Sequence, residues 1–247
     1  MYYVEMLRVR GALQGWSIAY AIAFIATAVS AYFSKANTHV SSGDYVPFAA
    51  LFVLAGVASG IVASTLAGNL ARENDGHLPL TWTKPASRIR SAAIMAGVDV
   101  AGVLAMYVLT IIAFLAILGI VGLAKHFTFD AGMGLIVARS LVFPIATYGL
   151  VWALTASMRR KAGAAIGFLW VGMIGVNILH LVGLPGAFGT IFSLLDRIDP
   201  MAYMQFHGEG KALLIDTRES IYAMLALLAI GAAGMVAGLA QWRRLEA

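Results

Sequence analysis

The chain has 247 residues, 61% of them hydrophobic and only 12% charged, with no cysteine and a formal net charge of +5. A soluble domain carries about 25% charged residues, so this surface cannot be covered against water and lipid is the expected solvent. The absence of cysteine excludes disulfides, thiolate metal centres and cysteine nucleophiles together.

A transmembrane helix needs roughly 20 mostly apolar residues. Six runs qualify, over 12–33, 46–68, 91–123, 133–157, 162–183 and 220–242. None alternates with the period of two that a barrel strand requires. An all-α integral membrane bundle is therefore predicted, because lipid offers no partner to an unpaired N–H or C=O. Residues 1–247 are read as one six-helix domain.

Ahead of the first run, Tyr2, Tyr3, Met6 and Leu7 mix with Glu5, Arg8 and Arg10. That mixture suits a short interfacial helix of about two or three turns in the headgroup layer. Ala28-Val29-Ser30 resembles a signal-peptide cleavage site. The apolar stretch exceeds the usual core of about 7–15 residues, so a retained helix is expected. The third run is the longest and is expected to tilt or to project beyond the bilayer.

Placing the N-terminus in the cytoplasm puts Arg8, Arg10, Arg72, Lys84, Arg88, Arg90, Arg159, Arg160, Lys161, Arg243 and Arg244 on that side. These are 11 of the 17 basic residues. The positive-inside rule then predicts both termini in the cytoplasm. The basic residues serve as topology signals and lipid-headgroup contacts, with no indication of a nucleic-acid partner.

Three segments are not simple spans. The first is the cytoplasmic stretch 69–90. Gly76 suits the end of the second helix, Pro79 and Pro85 prevent a continuous helix between them, and Ser87 suits the cap of the third. Leu78, Leu80 and Trp82 are apolar residues in a water-facing loop. They fit docking on a partner or on headgroups, and Trp82 also fits a plain interfacial anchor in a solvated turn.

Glu73, Gly76, Leu80, Pro85, Ser87 and Arg88 together resemble the loop between the second and third spans of type-2 ATP-binding-cassette (ABC) exporter permeases. That family often has an acidic residue, a glycine, leucines and then Pro-x-Ser-Arg leading into the third helix. Here His77 stands where a small hydroxyl residue often follows the glycine, and Pro79 is extra. The six-span count, the short lead and the cytoplasmic termini agree along nearly the whole chain.

The resemblance implies that this loop, Trp82 included, holds a coupling helix seated in a groove of an ATP-binding subunit. It implies two such permease subunits, identical or related, over two separately encoded ATP-binding subunits. ATP and magnesium would lie on those partners, with no cofactor on this chain. It also implies a bacterial plasma-membrane exporter, and the apolar composition suits a lipophilic or peptide-like substrate. A stand-alone membrane protein remains the alternative: a channel, an immunity factor or a lipid-modifying enzyme. A lone channel has no reason to load a cytoplasmic loop with exposed leucine and tryptophan.

The second segment, 184–219, separates the fifth and sixth spans. Its apolar stretch 187–195 is about half the length needed to cross, and a second short amphipathic piece follows near 203–214. Re-entrant or interfacial helices are expected there, and the permease family also has short external helices at this place. An ordinary amphipathic external loop is the plainer reading. The third segment is the N-terminal lead described above.

Polar residues inside the spans form the other candidate site. Asp99 sits about 12 Å along the third run, where a charged carboxylate costs about 2.5–3.5 kcal/mol on insertion scales. It is expected to face the bundle interior, lining a substrate route or accepting from a donor such as Asn177 or His180. Those two lie three residues apart on one face of the fifth helix and suit interhelical hydrogen bonds. Arg139 is expected to snorkel from the outer end of the fourth span. Gly56/Gly60, Gly163/Gly167 and Gly234/Gly238 fit small-xxx-small spacing, a weak signal among 26 glycines.

Catalytic patterns are missing. Gly208-Glu209-Gly210-Lys211 lacks the spacing and the Ser or Thr of a P-loop. The five histidines lack zinc spacing, and no G-x-S-x-G elbow occurs. No catalytic or metal residue is assigned, and ATP hydrolysis is expected on a separate subunit.

Overall fold

The computed structural model describes residues 2–34, 45–73, 88–127, 129, 131–158, 161–182, 187–205, 208–209, 212–213 and 216–244. These contain the α-helices α1 (Tyr2–Ser34), α2 (Tyr45–Glu73), α3 (Arg88–Val121), α4 (Ala131–Thr155), α5 (Ala162–Val182), α6 (Ala187–Asp196) and α7 (Thr217–Arg244). All except α6 are long and apolar enough to cross a membrane. Each of the six expected spans is helical.

The ends differ from the sequence expectation in instructive ways. The N-terminal lead is not a separate interfacial helix, because α1 runs unbroken through Arg10 and Gly11 for 33 residues. No proline interrupts it, and one glycine costs a helix interior only about 1 kcal/mol. At 1.5 Å per residue α1 is about 50 Å long, well beyond the roughly 30 Å hydrocarbon layer. α3, with 34 residues, is as long and lies against it.

α3 stops two residues before the expected Leu123. Gly122 adopts φ 79°, its N–H bonds the Gly119 carbonyl at 3.1 Å, and the Leu123 N–H bonds the Leu118 carbonyl at 2.9 Å. This is a Schellman ending, which needs a residue tolerant of the left-handed conformation. Leu123 then packs on the cluster that contains Leu118, as that motif favours. A 3₁₀ turn, Ala124–His126, leads toward α4.

α4 is the centre of the bundle, packed along most of its length against α7 on one side and α2 on the other. Backbone contact makes this possible. A Cβ added to Gly149 would lie 2.2 Å from the Gly231 carbonyl oxygen, and one on Gly234 would lie 2.3 Å from the Gly149 carbonyl carbon. The α4–α7 crossing thus requires glycine from both helices.

On the α2 side, Pro144 lies inside α4 and removes the N–H that would bond the Ser140 carbonyl. Gly56 of α2 comes close to that oxygen, which a Cβ there would approach to 2.9 Å. Phe143, Tyr148, Val151 and Trp152 complete a buried α4 surface.

Two of the three small-residue pairs named from sequence sit at these contacts. Gly56 and Gly60 face Ser140 and Phe143, and Gly234 and Gly238 face Gly149 and Trp152. Gly167 meets no atom within 4 Å. α5, which carries it, is peripheral and touches α2 and α4 only lightly. Phe168 and Val171 on α5 are 80% and 70% exposed.

Between α5 and α7 the chain departs from the expected pair of external helices. α6 is the short apolar helix, but the second piece is a 3₁₀ turn, Ala202–Met204, followed by a two-residue antiparallel ribbon. In that ribbon Gly208 pairs with Leu213 and Glu209 with Ala212. Gly208 disfavours helix where the ribbon begins.

Candidate functional site

The segment with the most sequence information is framed by the end of α2 at Glu73 and the start of α3 at Arg88. Gly76, Leu80, Trp82, Pro85 and Ser87, and with them the expected coupling helix, lie outside the described residues. The side chains of Glu73, Arg88 and His180 do so as well, although their backbones belong to α2, α3 and α5.

Asp99 is buried between α3 and α4, as its cost in lipid demands. Its Oδ2 accepts a hydrogen bond from the Tyr148 hydroxyl at 2.9 Å. The donor named from sequence, Asn177, instead pairs elsewhere, so Asp99 and Asn177 belong to separate polar groups. About two helical turns along α3 from Asp99, the Tyr107 hydroxyl meets Ser140 Oγ and the Val137 carbonyl of α4. The α3–α4 contact therefore carries hydroxyl links above and below the same apolar surface.

The richest polar cluster lies where the α5–α7 connector meets the bundle. Arg139 of α4 is 3% exposed, so it does not snorkel outward. Its Nε donates to the Tyr203 carbonyl and its Nη2 to the Gln205 carbonyl, the latter at 2.9 Å. The carbonyls of the 3₁₀ turn thus take the place that headgroups were expected to fill. The Glu219 charge at the start of α7 interacts favourably with the same guanidinium.

Asn177 of α5 fastens the other side of this connector. Its Nδ2 donates to Asp199 Oδ2 at 2.7 Å and to its own helix at the Met173 carbonyl at 2.8 Å. Its Oδ1 accepts from Gln205 Nε2. Asp199 Oδ1 accepts from the Met201 N–H at 2.8 Å, closing a turn around Pro200.

Burial pushes the Asp199 carboxyl up to about 6. The Met201 N–H opposes that rise, the neighbouring Asp196 charge adds to it, and the Asn177 amide opposes it. Below this layer Met204 is buried, packed with Phe143, Ala146 and Leu227 and within reach of Gly56. Arg139, Asn177, Asp199 and Gln205 form a clasp, and Met204 is the plug it holds.

Sequence reasoning singled out Asn177 and Arg139 but missed Tyr148, Asp199, Gln205 and Met204. Asp199-Pro200 was a legible turn signal, yet nothing in the sequence announces that it docks on Asn177, 22 residues earlier, or that the carbonyls just after it meet Arg139, 64 and 66 residues earlier.

Two grooves among the described residues open on the outside of the bundle. One, of about 410 Å³, runs between α2 and α5 beside Ser64, Thr65, Asn69 and Trp170, and the Trp170 indole N–H donates to Ser64 Oγ at 3.0 Å across it. The other lies between α1 and α3. Among the described residues no group of His, Asp and Glu is placed to hold a metal ion. No protein-family model and no curated protein matches the chain.

Proposed function

We propose that this chain is the membrane-spanning subunit of a type-2 ABC transporter, an exporter of a lipophilic or peptide-like substrate in a bacterial plasma membrane. Two copies, or this chain and a related one, pair across the membrane. Two separate subunits bind ATP and magnesium and dock on the cytoplasmic segment between α2 and α3. Both termini are cytoplasmic.

The observation that carries the reading is the pattern Glu73, Gly76, Leu80 and Pro85-Ala86-Ser87-Arg88, set between two helices that can cross the membrane. The uneven packing of the bundle supports it. α4 packs closely on α2 and α7, whereas α1, α3 and α5 leave glycines open to their surroundings: Gly11, Gly15, Gly97, Gly119, Gly167, Gly172 and Gly175 meet no atom within 4 Å. Open small residues on apolar helices suit close approach by a second bundle. The α2–α5 groove has apolar walls with Ser64, Thr65 and Asn69 along them, which suits an amphiphilic substrate moving between paired copies.

On this reading the α5–α7 connector is an external re-entrant cap, and Met204 occludes the route until the bundles reorient. ATP-driven closure of the partner subunits pushes on residues 73–88 and rocks α2 and α3 as rigid levers.

Replacing Leu80 and Trp82 together with Ala tests the docking directly. Truncating an apolar anchor often costs about 2 kcal/mol or more, a loss of roughly thirtyfold in affinity. The double variant is expected to insert normally but to lose a co-expressed P-loop ATPase on pull-down, or to hydrolyse ATP without transport. Wild-type capture and wild-type transport together would sink the assignment.

A further inference from the structure

Exposed polar side chains near the start of an apolar helix need a reason, and α1 carries three in a line. Arg10, Gln14 and Ser17 are spaced i, i+4 and i+7, which places them on one stripe of the helix. All three are exposed and line a groove of about 370 Å³ between α1 and α3. None has a side-chain hydrogen bond or ion pair among the described residues. The facing wall is Val98, Ala101 and Gly102 of α3, and Val9 and Leu13 of α1 form the apolar flank. The helices touch at the floor of the groove, where a Cβ on Gly102 would come within 2.7 Å of Val9 Cγ1.

The order of these groups along the groove is specific. The guanidinium stands at the mouth, nearest the helix end. The Gln14 amide follows about 6 Å deeper and the Ser17 hydroxyl about 10 Å deeper, by the helical rise. A glycerophospholipid presents its parts in the same order, from phosphate through ester carbonyls to acyl chain. We propose that the α1–α3 groove is a binding site for one anionic phospholipid of the leaflet in which α1 begins.

Arg10 takes the phosphate through its planar fork, a geometry a lysine would not reproduce. The Gln14 amide and the Ser17 hydroxyl donate to the ester oxygens, and one acyl chain lies along Val98 and Ala101. The side chains of Ala101 and Gly102 are small, which leaves the chain its room. An anionic headgroup suits the site better than a zwitterionic one, because a headgroup amine would compete with Arg10 for the phosphate charge. This binding needs neither a second copy nor an ATPase, so it stands apart from the transporter reading.

The test uses the full chain purified in detergent and titrated with phosphatidylglycerol, phosphatidylcholine or inorganic phosphate, with bound lipid counted by native mass spectrometry. The wild-type protein is expected to retain one phosphatidylglycerol in preference to phosphatidylcholine. Arg10→Ala is expected to lower that retention about fivefold, the effect of one cation at a membrane surface, and Gln14→Leu by less. Lys161→Ala, an exposed cation on another element, is expected to leave it unchanged.

Ala101→Trp fills the groove from the α3 side without touching Arg10, and should match Arg10→Ala even if the latter folds poorly. Three results each overturn the site: equal retention of the two lipids, full retention by Ala101→Trp, or displacement of the lipid by inorganic phosphate alone. The last would mark a simple anion contact.

Discussion

α4 and α5 are neighbours in sequence and both can cross a membrane, yet α5 is the more apolar and much the less buried. In water the order would be reversed. In lipid, apolar surface gains nothing by leaving its surroundings, so the central helix is chosen by other means: backbone approach through glycine, and polar groups that need partners. α4 has both, with Gly149 against α7, Ser140 and Tyr148 against α3, and Arg139 against the connector. α5 has glycines as well, but those at 167, 172 and 175 meet no atom within 4 Å.

The sharpest way to break this comparison is to put the same bulk on both helices. Gly149→Leu would drive a side chain into the Gly231 carbonyl, where only backbone movement can make room. A loss of about 3 kcal/mol or more is expected, since overpacking typically costs about 1–3 kcal/mol even where side chains can adjust. Folded yield and thermal denaturation in detergent would both register it. Gly167→Leu on α5 should change the stability of the single chain by no more than about 0.5 kcal/mol. Equal losses at the two positions would show that packing does not rank the helices.

The connector gives the next effect. Arg139→Leu removes the cation from the Tyr203 and Gln205 carbonyls and leaves Glu219 without its favourable charge. Hydrogen bonds to charged groups contribute about 1.5–3 kcal/mol. Hydrogen exchange at residues 197–205 should quicken strongly, while α2 and α7 stay protected. If protection falls uniformly instead, the clasp is part of the core and not a separable lid.

How much of this was legible follows the same division. The six spans were readable because hydrocarbon thickness sets a length and lipid forbids unpaired backbone. Their ranking was not, because Gly56, Gly149 and Gly167 look alike in sequence and only the partner helix separates them. Asp99 was identifiable as a buried carboxylate by cost alone. Its partner Tyr148 was not, because a tyrosine in an apolar run has an ordinary role at many depths. Arg139 was expected near headgroups because its reach was judged along its own helix. The carbonyls it meets belong to a turn 64 and 66 residues later. Residues 74–87, which carry most of the family resemblance, draw their meaning from sequence alone.

A smaller effect is expected inside the bundle. Tyr148→Phe removes the hydroxyl that donates to Asp99, a loss of about 1 kcal/mol by soluble-protein experience and nearer 0.6 within membranes. Asp99→Ala should lower folded yield further, because it also opens space beside Tyr148, and Asp99→Asn should recover most of it by keeping an acceptor. On the proposed transporter function, transport per folded molecule is expected to stay unchanged in all three. A transport defect at normal yield would move Asp99 from scaffold to substrate route.

A titration separates the connector from the core most cleanly. The Asp199 carboxyl is raised from 3.8 to about 6, chiefly by burial. Between those values the docked connector keeps a proton that the undocked chain releases, so protonation favours docking. That contribution is complete below the ordinary carboxyl value and is lost as pH rises through about 6. The chain has no cysteine, so a spin label on Ile198→Cys, an exposed position beside Asp199, reports on the connector alone. Its mobility should rise with pH with a midpoint near 6, while a label on Phe168→Cys in α5 stays flat. Asp196 is a neighbouring carboxyl of Asp199, and the Glu219 charge interacts with Arg139. Asp199→Asn must therefore abolish the titration if Asp199 is its source. The same curve in Asp199→Asn would show that Asp199 is not its source.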